Sequence, residues 1–314
     1  MNVTIIGSGV IGLLSALVLT EARYRVTIIA RDLPGDENQN WASPWAGAGF
    51  LPHPESRDQS LQAESFKYYC ALAHRDPTSG VQVLKATEYF DDRDDDSSIW
   101  YKNIVPGYRR LGEDKLYPNA KIGFSYQTKK LEKRGVRFIQ GEIKSFAEAN
   151  KMAKTDVLVN ATGLGAKELA GDDNVVPIRD QTIFMKTDFD EIAIFQGSHY
   201  TYVIPRMFSG GVIVGGVSQE GNYDREVDEQ LRSEFLQRAK KFDHTRLHTL
   251  DLEKDVKRDI VAFRPGRRGG YRLEAEGDVV HAYGFAGLGY VYSYGAALKV
   301  RELVESVLAP RSRL

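Results

Sequence analysis

The chain has 314 residues, enough to bury a substantial core as two domains or as one domain with a large excursion. Its 42 lysines and arginines nearly balance 43 aspartates and glutamates, so no polyanion-binding footprint is visible and nucleic acid is not an expected partner. No apolar run approaches the ~20 residues that span a bilayer, and the N-terminus begins a strand where a leader would carry charge, so a soluble, unsecreted protein with no membrane partner is expected.

Val3-Thr4-Ile5-Ile6 reads as a strand, Gly7-Ser8-Gly9-Val10-Ile11-Gly12 as a glycine turn, and Leu13 to Leu19 as a helix. A second strand, Arg25-Val26-Thr27-Ile28-Ile29, follows. In that setting G-x-G-x-x-G is a dinucleotide signature. The first glycine permits the tight turn, the second lets backbone approach a pyrophosphate, and the third allows close packing. Free amides and the positive helix end then favour the diphosphate. An acidic residue about 20 positions on binds ribose hydroxyls, whereas arginine favours a 2′-phosphate. Arg31 and Asp32 both qualify, so the dinucleotide stays open between NADP and FAD.

Arg31 to Asp36 breaks the pattern, and the small-residue tract up to Gly49 reads as a loop against which a flat cofactor could lie. Residues 57–76 predict a helix with Leu61, Phe66, Tyr69 and Leu72 on one side. Cys70, the only cysteine, reads as a small packing residue and suits a reducing compartment. Glu88-Tyr89-Phe90 is strand-like. The acidic run Asp91 to Asp96 lacks the glycine and terminal glutamate of a calcium loop, so it reads as solvated and no metal is expected. Ser125 to Arg134 predicts a helix ending at Gly135, and Val136 to Ile139 a strand.

Asp156 to Val159, running into Asn160-Ala161-Thr162-Gly163-Leu164-Gly165, has the composition of a central parallel strand whose carboxyl end meets a ligand. From Thr182 to about Gly216, strand segments alternate as in an antiparallel sheet, and Leu231 to Phe242 predicts a helix. Val279 to Tyr283 reads as a strand returning to the first sheet, followed by glycines 284, 287 and 289 and a helix from about Tyr292 to Leu308. The expected fold is α/β: a discontinuous Rossmann-like nucleotide-binding domain and an α+β domain on an antiparallel or mixed sheet. The last three residues, Ser312-Arg313-Leu314, are a basic variant of the peroxisomal address, which implies the peroxisome and its import receptor.

Several segments resemble, in order, the flavin-dependent D-amino-acid oxidases, a group that also contains D-aspartate oxidase. These are the glycine turn, Ser43-Pro44-Trp45-Ala46-Gly47-Ala48, Asn160 to Gly165, Tyr202-Val203-Ile204-Pro205, Phe263-Arg264-Pro265-Gly266-Arg267 through Glu274, and His281 to Gly287. The resemblance implies non-covalent FAD and oxidation of a D-amino acid by hydride transfer from Cα. Oxygen reoxidises the flavin to give hydrogen peroxide, and the imino acid hydrolyses to a 2-oxo acid and ammonia. No side-chain base is required, so orientation of the substrate dominates.

By that resemblance Arg267 pairs with the substrate carboxylate, Tyr202 joins it through its hydroxyl, and the Gly287 carbonyl accepts from the amine. The cofactor set is Gly7, Gly9, Ile11, Gly12, Arg31, Asp32, Ser43, Gly47, Ala48, Gly49, the Ile143 backbone, Thr162, Gly163, Gly289, Tyr290 and Val291. The expected FAD domain is 1–52, 133–181 and 262–314, with a substrate domain of 53–132 and 182–261. Ser198 stands where many relatives carry a lid tyrosine, with Tyr200 as a substitute. His53, after Pro52, matches the aspartate-oxidising relatives, but Ser218 and about Phe195 stand where those carry arginines. Arg206 is expected to face solvent. Neutral substrates are therefore expected over D-aspartate. The short Ala275-Glu276-Gly277-Asp278 bridge argues against a yeast-type dimer contact. The rival readings are a D-aspartate oxidase, an NADP-dependent reductase, and a flavin-binding protein without turnover.

Overall fold

Apolar side chains on both faces of the first strand require cover on both sides, and the chain supplies it by alternating strands with helices. The computed structural model describes residues 1–54, 58–130, 138–206 and 209–309. It runs β1 (Asn2–Ile6), α1 (Val10–Glu21), β2 (Arg25–Ala30), β3 (Gly49–Phe50), α2 (Gln59–Arg75), β4 (Gln82–Phe90), β5 (Arg109–Arg110), β6 (Ile122–Lys130) and β7 (Phe138–Gln140). Next come α3 (Phe146–Met152), β8 (Val157–Asn160), α4 (Ala166–Leu169), β9 (Val175–Met185), β10 (Ile192–Gln196), β11 (Thr201–Arg206), β12 (Gly211–Gly215) and β13 (Gln219–Glu220). The chain closes with α5 (Glu229–Ala239), β14 (Val256–Arg267), β15 (Arg272–Glu276), β16 (Val279–Tyr283) and α6 (Gly289–Leu308).

The first sheet has the order β15-β16-β8-β1-β2-β7, parallel from β16 to β7 with β15 as an antiparallel edge. Its side chains alternate between two cores. Ile5, Val157, Val159 and Val280 join the cluster of α1, α2 and α6, while Ile6, Leu158 and Val279 meet Ala149 of α3. The strand expected at Val279 returns to this sheet beside β8, and its helix begins at Gly289. Among the described residues no helix is long and apolar enough to cross a membrane. Cys70 is half-buried on α2 and packs against the main core.

The second sheet, β13-β9-β12-β11-β10-β4-β6-β3 with β14 also paired to β9, is mixed: β4 and β10 are parallel and the other pairs antiparallel. It overturns the helix expected from Ser125. Ile122–Lys130 is a strand, held along β4 from Phe90 to Gln82 and by β5 on its other side, so two ladders override a weak helical pattern. Residues 131–137 lie outside the described residues. The helix expected from Leu231 starts at Glu229, where the Asp228 carboxylate accepts from the Gln230 and Leu231 amides.

Sheet membership also departs from the expected boundaries at 181/182 and 261/262. Both cut continuous strands, because β9 and β14 pair along Val175–Met185 and Val256–Arg267 inside the second sheet. β14 then passes directly into the β15–β16 hairpin of the first sheet.

Candidate active site

The site is a cavity of about 1120 Å³ between the carboxyl ends of the first sheet and one face of the second. Such crevices at strand ends are where open α/β sheets bind ligands. At its floor Gly7 has φ +112°, and a Cβ there would stand 2.4 Å from the Ala161 carbonyl oxygen. Only glycine fits that turn. Gly7, Gly9 and Ile11 line the cavity. Gly12 does not: it packs beneath the turn, where a Cβ would meet the Gly7 carbonyl at 2.2 Å. The N-termini of α1 and α6 both open here, since Val10 and Gly289, Tyr290 and Val291 are in the wall. Ser43 ties them together, its Oγ accepting from the Val10 amide at 3.0 Å and its carbonyl accepting from the Tyr290 hydroxyl at 3.0 Å.

Arg31 and Asp32 line the cavity past β2. Arg31 donates to Asp32 Oδ2 through Nε at 2.9 Å and Nη2 at 2.7 Å, and Asn38 Nδ2 donates to Asp32 Oδ1 at 2.9 Å. Gly47, Ala48, Gly49, Ile143, Thr162 and Gly163 complete the expected cofactor wall. Arg206 does not face solvent alone: its Nη2 donates to the Pro44 and Ala46 carbonyls at 2.8 and 3.3 Å, holding that tract.

The cavity suits a dinucleotide. It exceeds the ~300–1,000 Å³ of ordinary small-ligand pockets, it carries a glycine cradle under two helix N-termini, and Arg31 and Asp32 line it past β2, where side chains that would hold a ribose stand. In its wall Thr182 Oγ1 is buried without a hydrogen-bond partner among the described residues, an orphan that a ligand can satisfy.

Tyr202 reaches across the second sheet because Gly215 and Gly216 leave room. A Cβ on Gly215 would stand 3.0 Å from Tyr202 Cζ, and one on Gly216 2.8 Å from Tyr202 Cε1 and from Asp180 Oδ1. The Tyr202 hydroxyl donates to Asp180 Oδ2 at 3.1 Å, and Arg264 Nη2 donates to the same oxygen and lies 3.4 Å from the hydroxyl. Gly287 closes the group, since a Cβ there would lie 3.5 Å from Arg264 Cδ and Nη1. His53, Tyr200 and Ser218 line the same cavity. Burial opposes the charge of Arg264, but the Asp180 carboxylate and the Tyr202 and Tyr200 phenols outweigh it and raise its pKa. Burial drives the Tyr202 phenol well above its usual range.

Arg267, expected as the carboxylate partner, is not brought into the cavity. Its Nε donates to Asp172 Oδ2 at 2.7 Å and its Nη1 to the Gly270 carbonyl at 3.1 Å, and the Tyr283 hydroxyl shares Asp172 at 2.8 Å. The reason is strand parity. Arg264 stands opposite Ile178 and Arg267 opposite Val175, an odd step that turns the two arginines to opposite faces. Arg264 and Asp180 are among the cavity residues missed from sequence. The alternation of β14 was the available signal for the first.

The doubly wound sheet and its roofed crevice define a dinucleotide-binding architecture, and comparisons with known proteins give its family. A model described as FAD dependent oxidoreductase matches residues 2–127 and 124–303. A D-amino-acid oxidase of Schizosaccharomyces pombe is 31% identical over 95% of this chain and 94% of its own length. One of Rubrobacter xylanophilus is 30% identical over 97% and 96%, and a D-aspartate oxidase of Talaromyces thermophilus is 27% identical over 96% and 95%. Among solved structures, glycine oxidase from Geobacillus kaustophilus superposes with a TM-score of 0.75 at 18% identity, covering 97% of this chain and 94% of that one. The chain belongs to the FAD-dependent oxidoreductase family that includes the D-amino-acid oxidases.

Proposed function

We propose that the protein oxidises D-amino acids, neutral ones in preference to D-aspartate, to 2-oxo acids, ammonia and hydrogen peroxide, with FAD held non-covalently. The carrying observation is Arg264 beside Tyr202 and Gly287 at one end of a dinucleotide-sized cavity. Among the described residues Arg264 donates to protein groups only through Nη2, so its Nε and Nη1 hydrogens remain for a substrate carboxylate. The Tyr202 hydroxyl, whose proton goes to Asp180 Oδ2, steadies the Arg264 guanidinium beside that carboxylate, and the Gly287 carbonyl accepts from the amine. Two fixed ends orient Cα, a proximity effect of several kcal/mol. FAD, when bound, supplies the hydride acceptor and the route to oxygen. Neutral Tyr200, Ile194 and Ile204 in the wall disfavour an acidic side chain, while His53 is the feature that favours D-aspartate.

The non-covalent mode follows the resemblance to the D-amino-acid oxidases, and Cys70 on α2 stands outside the cavity and is not a point of attachment. Acid precipitation is expected to leave the flavin in the supernatant. A peroxide assay on the yellow protein with D- and L-amino-acid panels tests the activity, and turnover of L-forms alone overturns it. A larger kcat/KM for D-aspartate than for D-alanine, D-valine and D-methionine reverses the preference. Peroxisomal import is proposed from Ser312-Arg313-Leu314, which lies outside the described residues; removing the tripeptide from a fluorescent fusion is expected to disperse it into the cytosol.

A further inference from the structure

β8 and β16 run side by side toward the cofactor wall, and a buried side-chain contact joins them just before they reach it. Asn160 ends β8 and lies opposite His281 of β16, both of them buried. Asn160 Oδ1 accepts from the Thr162 hydroxyl at 2.7 Å and from the Thr162 amide at 3.3 Å. With its oxygen committed there, Asn160 turns its Nδ2 to His281 Nδ1 at 3.3 Å. An amide nitrogen only donates, so Nδ1 accepts and the ring proton sits on Nε2, which faces Glu276 Oε2 at 3.4 Å.

A proton on Nδ1 would set two donors against each other in a buried site and leave a hydrogen bond unmade. Turning the Asn160 amide over relieves that contact, but it puts Nδ2 opposite the Thr162 amide, which cannot accept. A protonated His281 and the grip on Thr162 therefore oppose each other. That grip shapes the cavity: Thr162 and Gly163 line it, and the Ala161 carbonyl and Thr162 Cα pack against Gly7 in the glycine turn.

Among the described residues, the charged groups that act on the ring are Arg272, Glu274 and Glu276 of β15, while α3 and β16 set the uncharged Phe146 and Tyr283 rings against it. Burial and then Arg272 disfavour the cation, outweigh the two carboxylates, and lower the pKa of the ring.

We propose that neutral His281 is a positioning residue for the cofactor: through Asn160 it holds Thr162 against the glycine turn, and its protonation loosens the wall that grips FAD. This rests on FAD as the cofactor and not on which substrate is oxidised.

The test dilutes holoenzyme in steps into buffers from pH 7.5 to 4.5 without substrate and reads released flavin by its fluorescence. The apparent Kd of the wild type is expected to rise about threefold or more across that range, because proton and FAD binding oppose each other. In His281→Asn the new Oδ1 can take the place of Nδ1 as acceptor but does not titrate, so a rise of less than about twofold is expected. In Asn160→Asp a carboxylate oxygen pairs with the protonated ring, so no rise, or a fall, is expected. Both variants keep His53, the histidine in the cavity wall. A flat wild-type profile overturns the proposal, and so does a wild-type rise that persists in His281→Asn. Should neither variant fold, nitrogen NMR of the histidine rings in the wild-type holoenzyme decides. A His281 ring with its proton on Nε2 that becomes doubly protonated as flavin leaves supports the proposal; a proton on Nδ1 at neutral pH overturns it.

Discussion

Arg264 and Arg267 sit three residues apart on one strand and face opposite ways, one into the cavity and one onto Asp172. Their substitutions separate accordingly. Arg264→Ala is expected to lower kcat/KM for D-alanine about a hundredfold or more, with secondary structure intact by circular dichroism. Arg267→Ala is expected to change KM by less than about threefold but to destabilise the fold by about 2 kcal/mol, read by denaturant titration, because Asp172 loses its ion-pair partner. The reverse pattern would return the anchor to Arg267.

Asp172 gives a pH test of the same pair. Burial works against its charge, but the Arg267 guanidinium, the Tyr283 hydroxyl and the Asn174 amide outweigh burial and hold its carboxyl down at about 2. A depressed carboxylate contributes stability above its unfolded value of about 3.9, and the contribution is lost as pH falls through the folded value. The wild type is therefore expected to lose stability between pH ~4 and ~2. Arg267→Ala should show a shallower decline across that window in thermal melts.

Tyr202→Phe removes one hydroxyl from a network that keeps Arg264 and Asp180 paired. The expected effect is a rise in KM for D-alanine of about three- to tenfold with kcat less affected. Burial keeps this phenol protonated well beyond neutral pH. The alkaline limb of the kcat/KM profile should accordingly be the same in wild type and variant, and disappearance of that limb would assign it to Tyr202.

Gly7→Ala places a methyl group 2.4 Å from the Ala161 oxygen at a backbone angle of φ +112°. Both terms disfavour the holoprotein, so a lower Tm and loss of flavin on gel filtration are expected. A variant that retains flavin at wild-type Tm would show that the turn can relax.

The first sheet was legible because its strands carry apolar residues on both faces and its glycines announce the turns between strand and helix. The second was legible only in part. β9 passes through Arg179-Asp180-Gln181, a polar run in which Arg179 and Gln181 are buried and which masks its period. Arg179 donates to Gln181, Gln219 and the Asp224 and Glu226 carbonyls, while Asp180 turns to Arg264. Such pairings are between distant segments and leave no local trace. β6 is a different case: Ile122, Phe124, Tyr126 and Thr128 alternate along it, and a helix begun at Ser125 cuts across that period, which the ladders to β4 and β5 restore. Tyr202 and Gly287 could be placed from short motifs, but the choice between Arg264 and Arg267 needed the parity of a strand whose limits were not apparent.

The unbroken passage from β14 into the β15–β16 hairpin makes one segment carry the arginine anchor and lead on to the helix that opens on the cofactor wall. Asp180, Tyr202 and Ser218 come from other parts of the second sheet and its loops. Substrate choice can thus be re-engineered on one set of strands while the ruler that measures Cα against the cofactor wall stays on another.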